Sequence, residues 1–160
     1  MRSTIRMSTD NVLLDMAASS KRGLLETAAR EAAHRLGRPQ AEILGALQAR
    51  EALGSTALGR GVALPHAQLA GDGPPLMLFA RLRRPVDYEA RDEEPVDLVI
   101  LVLWPEASPE GFLPALAETC RAVRDPQALR RLRAAGSAEE VAALLEPQDR
   151  PAAPDRAEGP

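Results

Sequence analysis

The chain has 160 residues, 45% of them hydrophobic, 27% charged and only 2% aromatic, with a formal net charge of −3 at pH 7. That length suits one domain with a real core, while the mixed, slightly acidic charge and the lack of aromatic stacking platforms argue against nucleic-acid binding. A single cysteine, Cys120, excludes an intramolecular disulfide and a thiolate zinc cluster.

The first residues, MRSTIRMSTDNVLLDM, lack the apolar run of a secretory signal, and no stretch approaches the length of a membrane span. The expected compartment is a reducing cytoplasm. Ile5–Met16 reads as a lead-in with a turn near Ser8-Thr9-Asp10-Asn11. Ser20 can cap a helix on which Leu24, Leu25, Ala28, Ala29, Ala32 and Leu36 share one face, with Gly37 as its stop. His34 lies off that stripe, between Arg30 and Arg35, and reads as a solvated surface residue. Pro39 starts a second helix at its first turn. Ile43, Leu44, Ala46 and Leu47 form its buried side, and it ends near Leu53-Gly54. Arg50-Glu51 closes that helix, either as a solvated ion pair or with Arg50 turned toward an anion, which its guanidinium fork suits.

The stretch Gly54–Gly71, GSTALGRGVALPHAQLAG, comes next. Val62–Leu64 reads as a short buried strand, and Pro65 stiffens its end so that His66 is held in place. A positioned imidazole serves as nucleophile, base or metal ligand, or merely closes a strand end; spacing alone leaves these open. Gly71–Pro74 is a turn. Pro75–Leu82 alternates Leu76, Leu78, Ala80 and Leu82 against Met77 and Phe79, apolar on both faces, as an interior strand should be. Pro85–Tyr88 is a short extended piece and Arg91–Glu94 a charged turn. VDLVILVLW, Val96–Trp104, is the strongest strand pattern in the chain.

A helix is expected from about Glu110 to Val123, with Leu113, Leu116, Cys120 and Val123 at helical spacing; Cys120 then reads as a small core residue. Asp125-Pro126 opens another helix bearing Leu129 and Leu132. Ser137 and Glu140 form a capping-box signature for a last helix anchored by Val141, Leu144 and Leu145. Residues 147–160, rich in proline and charge and without apolar anchors, read as a disordered tail, which leaves 5–146 as the domain. The interleaved elements predict an α/β fold, a small mixed β-sheet flanked by helices. The usual nucleotide-binding loops and the HExxH motif are absent from the sequence, so no cofactor and no metal is expected. A hydrolytic triad around His66 would need Glu51, Asp87 or Asp97 from a distance.

The order Arg50-Glu51, Gly54-Ser55-Thr56, Gly59, Gly61-Val62-Ala63-Leu64-Pro65-His66 resembles the IIA domains of the bacterial phosphoenolpyruvate-dependent phosphotransferase system. The likeness is to the fructose/mannitol type, and within it most to the nitrogen-regulatory IIA proteins. It runs over about residues 8–146 and takes in Ser20-Lys21 and Pro95-Val96-Asp97-Leu98. The resemblance implies that His66 accepts a phosphoryl group from an HPr-like phosphocarrier protein, that Arg50 stabilises it, and that phosphorylation regulates partner proteins. Backbone amides and hydroxyls of Gly54, Ser55 and Thr56 would contact the phosphate. An apolar collar of Ala63, Leu64, Leu69, Phe112 and Leu113 would form the docking surface. The family commonly has a second histidine at the start of the helix after the central strand; Phe112 and Pro114 are the matching positions here. Two other functions stand beside the carrier: a regulatory interaction module that is not phosphorylated, and a IIA subunit that donates phosphate to a sugar-specific IIB.

Overall fold

The fold, from a computed structural model, is described over residues 5–146. Its sheet grows from β6 (Val96–Pro105), apolar at every position but Asp97. A strand of that kind needs cover on both faces. Along one side runs β5 (Leu76–Val86), antiparallel, with Leu78 opposite Leu101 and Ala80 opposite Val99. β1 (Val12–Met16) lies parallel to β5 on its outer side. Along the other side of β6 run β3 (Val62–Ala63) and then β4 (His66–Leu69), both parallel to it. β2 (Ala57–Gly59) pairs antiparallel with β3. The sheet is therefore mixed, in the order β1-β5-β6-β3-β2 with β4 on β6.

The two-residue period of the strands sorts the core into two halves. Leu76, Leu78, Ala80 and Leu82 join Val99, Leu101 and Leu103 on one face. α1 (Lys21–Leu36) and α2 (Gln40–Glu51) cover that face with Leu24, Leu25, Ala28, Ala29, Ala32, Ile43 and Leu47. Met77, Phe79, Leu98, Ile100, Val102 and Trp104 point the other way. They meet Ala115, Val123, Leu129, Leu132 and Val141 of α3 (Phe112–Arg124), α4 (Pro126–Ala134) and α5 (Ala138–Leu145). This is the expected α/β architecture, a small mixed sheet between helices.

The helix ends follow their capping residues. Ser20 Oγ accepts the Gly23 amide, Gly37 ends α1 at φ 66°, and Asp125 accepts the amide of Gln127. Ser137 accepts the Glu140 amide, while the Glu140 carboxylate accepts from Gly136 rather than from the cap residue itself. Pro39 is the N-cap of α2, one position before its predicted place.

Other expectations are corrected. The lead-in does contain a single 3₁₀ turn at Thr9–Asn11, but Val12–Met16 behind it is a strand. Five residues carry too little alternation to be recognised without their partner β5. β5 extends through Pro85 to Val86, with a break in register between Arg81 and Val86. Leu113 was expected on the buried face of its helix, yet it is 72% exposed, and α3 buries Ala115, Thr119 and Val123. These three recur every four residues and set the inward stripe, which Leu113 misses. The Cys120 side chain is half-buried against the second core half, and burial raises its thiol pKa. The expected tail, 147–160, lies outside the described residues.

Leu101 is fully buried in the central strand. Leu101→Ala should lower stability by about 2–5 kcal/mol through lost transfer energy and a residual cavity. Leu113→Ala should stay within about 0.5 kcal/mol. Urea unfolding followed by circular dichroism measures both.

Candidate active site

β3 and β4 share one edge of β6 and are separated only by Leu64-Pro65. Pro65 has no N–H to donate, but its carbonyl accepts the Val102 amide at 3.0 Å. Pairing with β6 thus runs through the interruption, and His66 enters β4 opposite Val102. His66 does not close the strand before it; it opens the next one, with its backbone held by the sheet.

Both ring nitrogens of this half-buried histidine have partners. Nδ1 lies 2.7 Å from the Leu64 carbonyl oxygen. A carbonyl can only accept, so Nδ1 carries the proton and Nε2 keeps its lone pair. Arg50 Nε donates to Nε2 at 3.3 Å, and Arg50 Nη1 donates to the Gly54 carbonyl at 3.0 Å. Burial pushes the imidazole pKa down; the Leu64 bond opposes this, the Arg50 charge adds to it, and Glu51 pulls the other way. The net shift is below the ordinary value, which keeps the ring neutral near pH 7.

Phe112 stands beside it, ring centroids 6.1 Å apart, and leans in turn on Trp104 at 5.9 Å. The Trp104 indole N–H donates to the Glu110 carbonyl at 3.1 Å. Gly111 crosses the indole at φ 96°, where a Cβ would come within 2.8 Å of Cζ2. Only glycine fits that crossing, and it delivers Phe112 to the imidazole.

Behind Arg50 lies a second cluster. Glu51 points the other way, its side chain only 7% exposed, and takes an ion pair from Lys21 at 3.0 Å. It also accepts the Thr56 amide at 3.1 Å, the Tyr88 hydroxyl at 2.9 Å, and the Thr56 hydroxyl. Lys21 Nζ sits 4.7 Å from the Tyr88 ring centroid. Burial alone would raise the Glu51 pKa, but the bonds from Thr56, Lys21 and Tyr88 leave it lowered. Burial and the neighbouring Glu51 raise the Tyr88 phenol, so it stays a donor. The solvated ion pair considered for Arg50-Glu51 is replaced by two side chains with separate tasks.

Among the sequence candidates, His66, Arg50, Gly54 and Phe112 come together. The hydroxyls of Ser55 and Thr56 do not face His66. Ser55 Oγ donates to the Tyr88 carbonyl at 3.1 Å and accepts the Ala57 amide at 3.2 Å, while the Thr56 side chain serves Glu51. Ala63, Leu64 and Leu69 are corrected: at 0%, 3% and 3% exposure they belong to the core and offer no surface. Leu113 is exposed. Lys21 and Tyr88 were missed as site residues because their roles depend on Glu51, far away in sequence, and Trp104 because its support of Phe112 depends on the turn at Gly111. Leu53, 83% exposed one residue before Gly54, was readable as an apolar residue just past the end of a helix.

The chain matches the family described as phosphoenolpyruvate-dependent sugar phosphotransferase system, EIIA 2, over residues 7–147. It is 38% identical over 139 residues to a nitrogen regulatory protein of Bradyrhizobium diazoefficiens, covering 87% of this chain and 91% of that one. The crystal structure of the nitrogen regulatory protein IIA-Ntr from Neisseria meningitidis superimposes with a TM-score of 0.82 at 36% identity, covering 86% of this chain and 94% of that chain. IIA mannitol from Escherichia coli shares the fold at a TM-score of 0.73 and 19% identity, over 88% of this chain and 99% of that one.

A depressed histidine pKa has a defined consequence for stability. Between the ordinary value of 6.5 and the lower folded value, the unfolded chain binds the extra proton and the folded one does not. The His66 contribution is therefore present above pH 6.5 and fades as pH falls through the folded pKa. A His66→Gln variant should lose less stability than wild type across that window in pH-dependent urea melts. An NMR titration should place the His66 pKa below 6.5, and Arg50→Ala, which removes a repelling cation, should raise it.

Proposed function

The chain belongs to the EIIA 2 family of the phosphoenolpyruvate-dependent phosphotransferase system and is of the nitrogen-regulatory IIA type, and we propose that it carries a phosphoryl group on His66 Nε2. The observation that carries this reading is the tautomer. The Leu64 carbonyl holds the proton on Nδ1 and leaves the Nε2 lone pair beside the Arg50 guanidinium. A neutral imidazole whose Nε2 keeps its lone pair is a competent nucleophile.

The donor in this reading is the phosphohistidine of an HPr-like carrier. Nε2 attacks phosphorus, an N–P bond forms to His66, and the N–P bond to the donor imidazole breaks, returning its electron pair to the donor nitrogen. No base is needed, since Nδ1 keeps its proton, donated to the Leu64 carbonyl, throughout. Arg50 turns from Nε2 to the phosphoryl oxygens, where a guanidinium fork stabilises the charge. The rest of catalysis is in-line positioning of two protein surfaces. Of Gly54, Ser55 and Thr56, Ser55 can contribute its backbone amide, since the amides of Gly54 and Thr56 already donate to Glu51 and the Ser55 and Thr56 hydroxyls are engaged elsewhere.

The docking surface we assign is Leu53, Phe112 and Leu113, two exposed leucines and one half-buried ring beside Arg50 and His66. An apolar centre with a polar rim is what protein interfaces favour. The names of the nitrogen regulatory relatives favour a regulatory role over sugar transport. Residues 5–146 form the working domain in this reading. Neither nucleic acid nor membrane insertion enters it; no helix among the described residues is long and apolar enough to cross a membrane. Phe112, which puts a ring without a hydrogen-bond donor against His66, favours one rival, a regulatory module that binds partners without taking phosphate.

Incubation with phosphoenolpyruvate, the first enzyme of the system and its carrier should add one acid-labile phosphoryl group, seen by mass spectrometry. His66→Ala should take none. Arg50→Ala should be slower by about 10²–10³-fold, the usual loss for one transition-state donor. Leu113→Asp should raise KM for the carrier and leave kcat nearly unchanged. No label on the wild-type chain would leave the rival reading in its place.

A further inference from the structure

We infer that Glu51 is a positioning residue for His66, acting through the backbone of Thr56 and Leu64 on one ring nitrogen and through Arg50 on the other. The inference rests on His66 being the phosphoacceptor for its meaning, though not for its geometry. The Glu51 carboxylate is held by Lys21 and Tyr88 and fastens Thr56 at both its amide and its hydroxyl. The Thr56 carbonyl accepts the Leu64 amide at 3.0 Å. The Leu64 carbonyl accepts the His66 Nδ1 proton at 2.7 Å. Three successive bonds thus run from the carboxylate to the imidazole, each ending on the residue that makes the next.

The second arm is shorter. Arg50 and Glu51 are neighbours on the last turn of α2, and successive helical residues project about 100° apart. Anchoring Glu51 to α1 through Lys21 and to the β5–β6 connection through Tyr88 sets the azimuth of that turn. It thereby sets where Arg50 meets Nε2 and the Gly54 carbonyl. One buried carboxylate governs both the tautomer of the imidazole and the approach of its cation. A carboxylate that served only to pair Lys21 would need neither bond to Thr56. The double grip on Thr56 is the part of the arrangement that connects, through the Thr56 carbonyl and Leu64, to the imidazole.

The test compares wild type with Glu51→Gln and Tyr88→Phe. Long-range proton–nitrogen NMR correlations on the nitrogen-15-labelled chain read the His66 tautomer, and single-turnover phosphorylation reads transfer. Wild type should show the proton on Nδ1 alone. Glu51→Gln should give a mixture of tautomers and a transfer rate lower by about 10- to 100-fold, the effect of a slightly misplaced reacting group, with KM for the carrier unchanged. Tyr88→Phe, which removes one bond to the carboxylate, should shift both readings in the same direction by less. It carries the test alone should Glu51→Gln not fold. A folded variant with an unaltered tautomer and rate overturns the inference, even if its melting temperature falls. A wild-type chain that takes no phosphoryl group overturns the proposed function instead, and the tautomer comparison still decides this one.

Discussion

The constraint on which the molecule depends is that Val96–Pro105 must be covered on both faces and both edges. Every residue but Asp97 is apolar, and all but Asp97 are buried. The helices of the two layers supply the faces. β5 takes one edge, and the stretch from Val62 to Leu69 takes the other. Because a proline interrupts that second stretch, it pairs in two pieces, and the residue that restarts it is His66. The site is thus a by-product of edge coverage: the histidine is rigid because its peptide belongs to the central sheet.

Electrostatics then assigns the side chains around it. Arg50 and Glu51 follow each other in sequence but diverge in space, as neighbours on a helix must. The imidazole is kept neutral chiefly by burial, and the arginine that reaches it adds to this. The glutamate turns inward, where four donors hold a charge that burial would otherwise penalise. On the opposite side, Asp97 pairs with Arg133 at 2.9 Å, and Arg133 also donates to the Arg60 carbonyl at 2.6 Å. A Cβ on Gly61 would lie 2.5 Å from that guanidinium. Gly61 therefore serves a clamp between the β2–β3 turn and α4, while Arg50 and His66 meet at the other end of the segment.

Much of the fold was legible in the residue order. The alternation in Leu76–Leu82 assigned each side chain to the correct core half, and Ser20, Gly37, Asp125 and Ser137 marked helix ends where capping chemistry required them. β1, β2 and β4 were not recognised as strands. They have five, three and four residues, too few for a period of two to stand out, and they exist because β5, β6 and β3 offer them partners. Leu64 and Leu69 looked available as a docking surface from their nearness to His66 in sequence. They are buried because they lie against β6, whose neighbourhood is decided by pairing and not by chain position.

The sequence by itself determined the class of fold, the two-sided central strand, the candidate pair His66 and Arg50, and the family in which such a pair occurs. It did so because those features are local: periodicity, caps, and a glycine-spaced Pro-His motif. The tertiary structure alone decided that the imidazole proton sits on Nδ1, that Phe112 reaches the ring, and that Glu51 faces away from Arg50 into a cluster with Lys21 and Tyr88. Each of these depends on groups brought together by folding, such as Tyr88 against Glu51 and Phe112 against His66. Hydrogen-bond geometry and burial, which set tautomer and charge, come into being only when those groups meet.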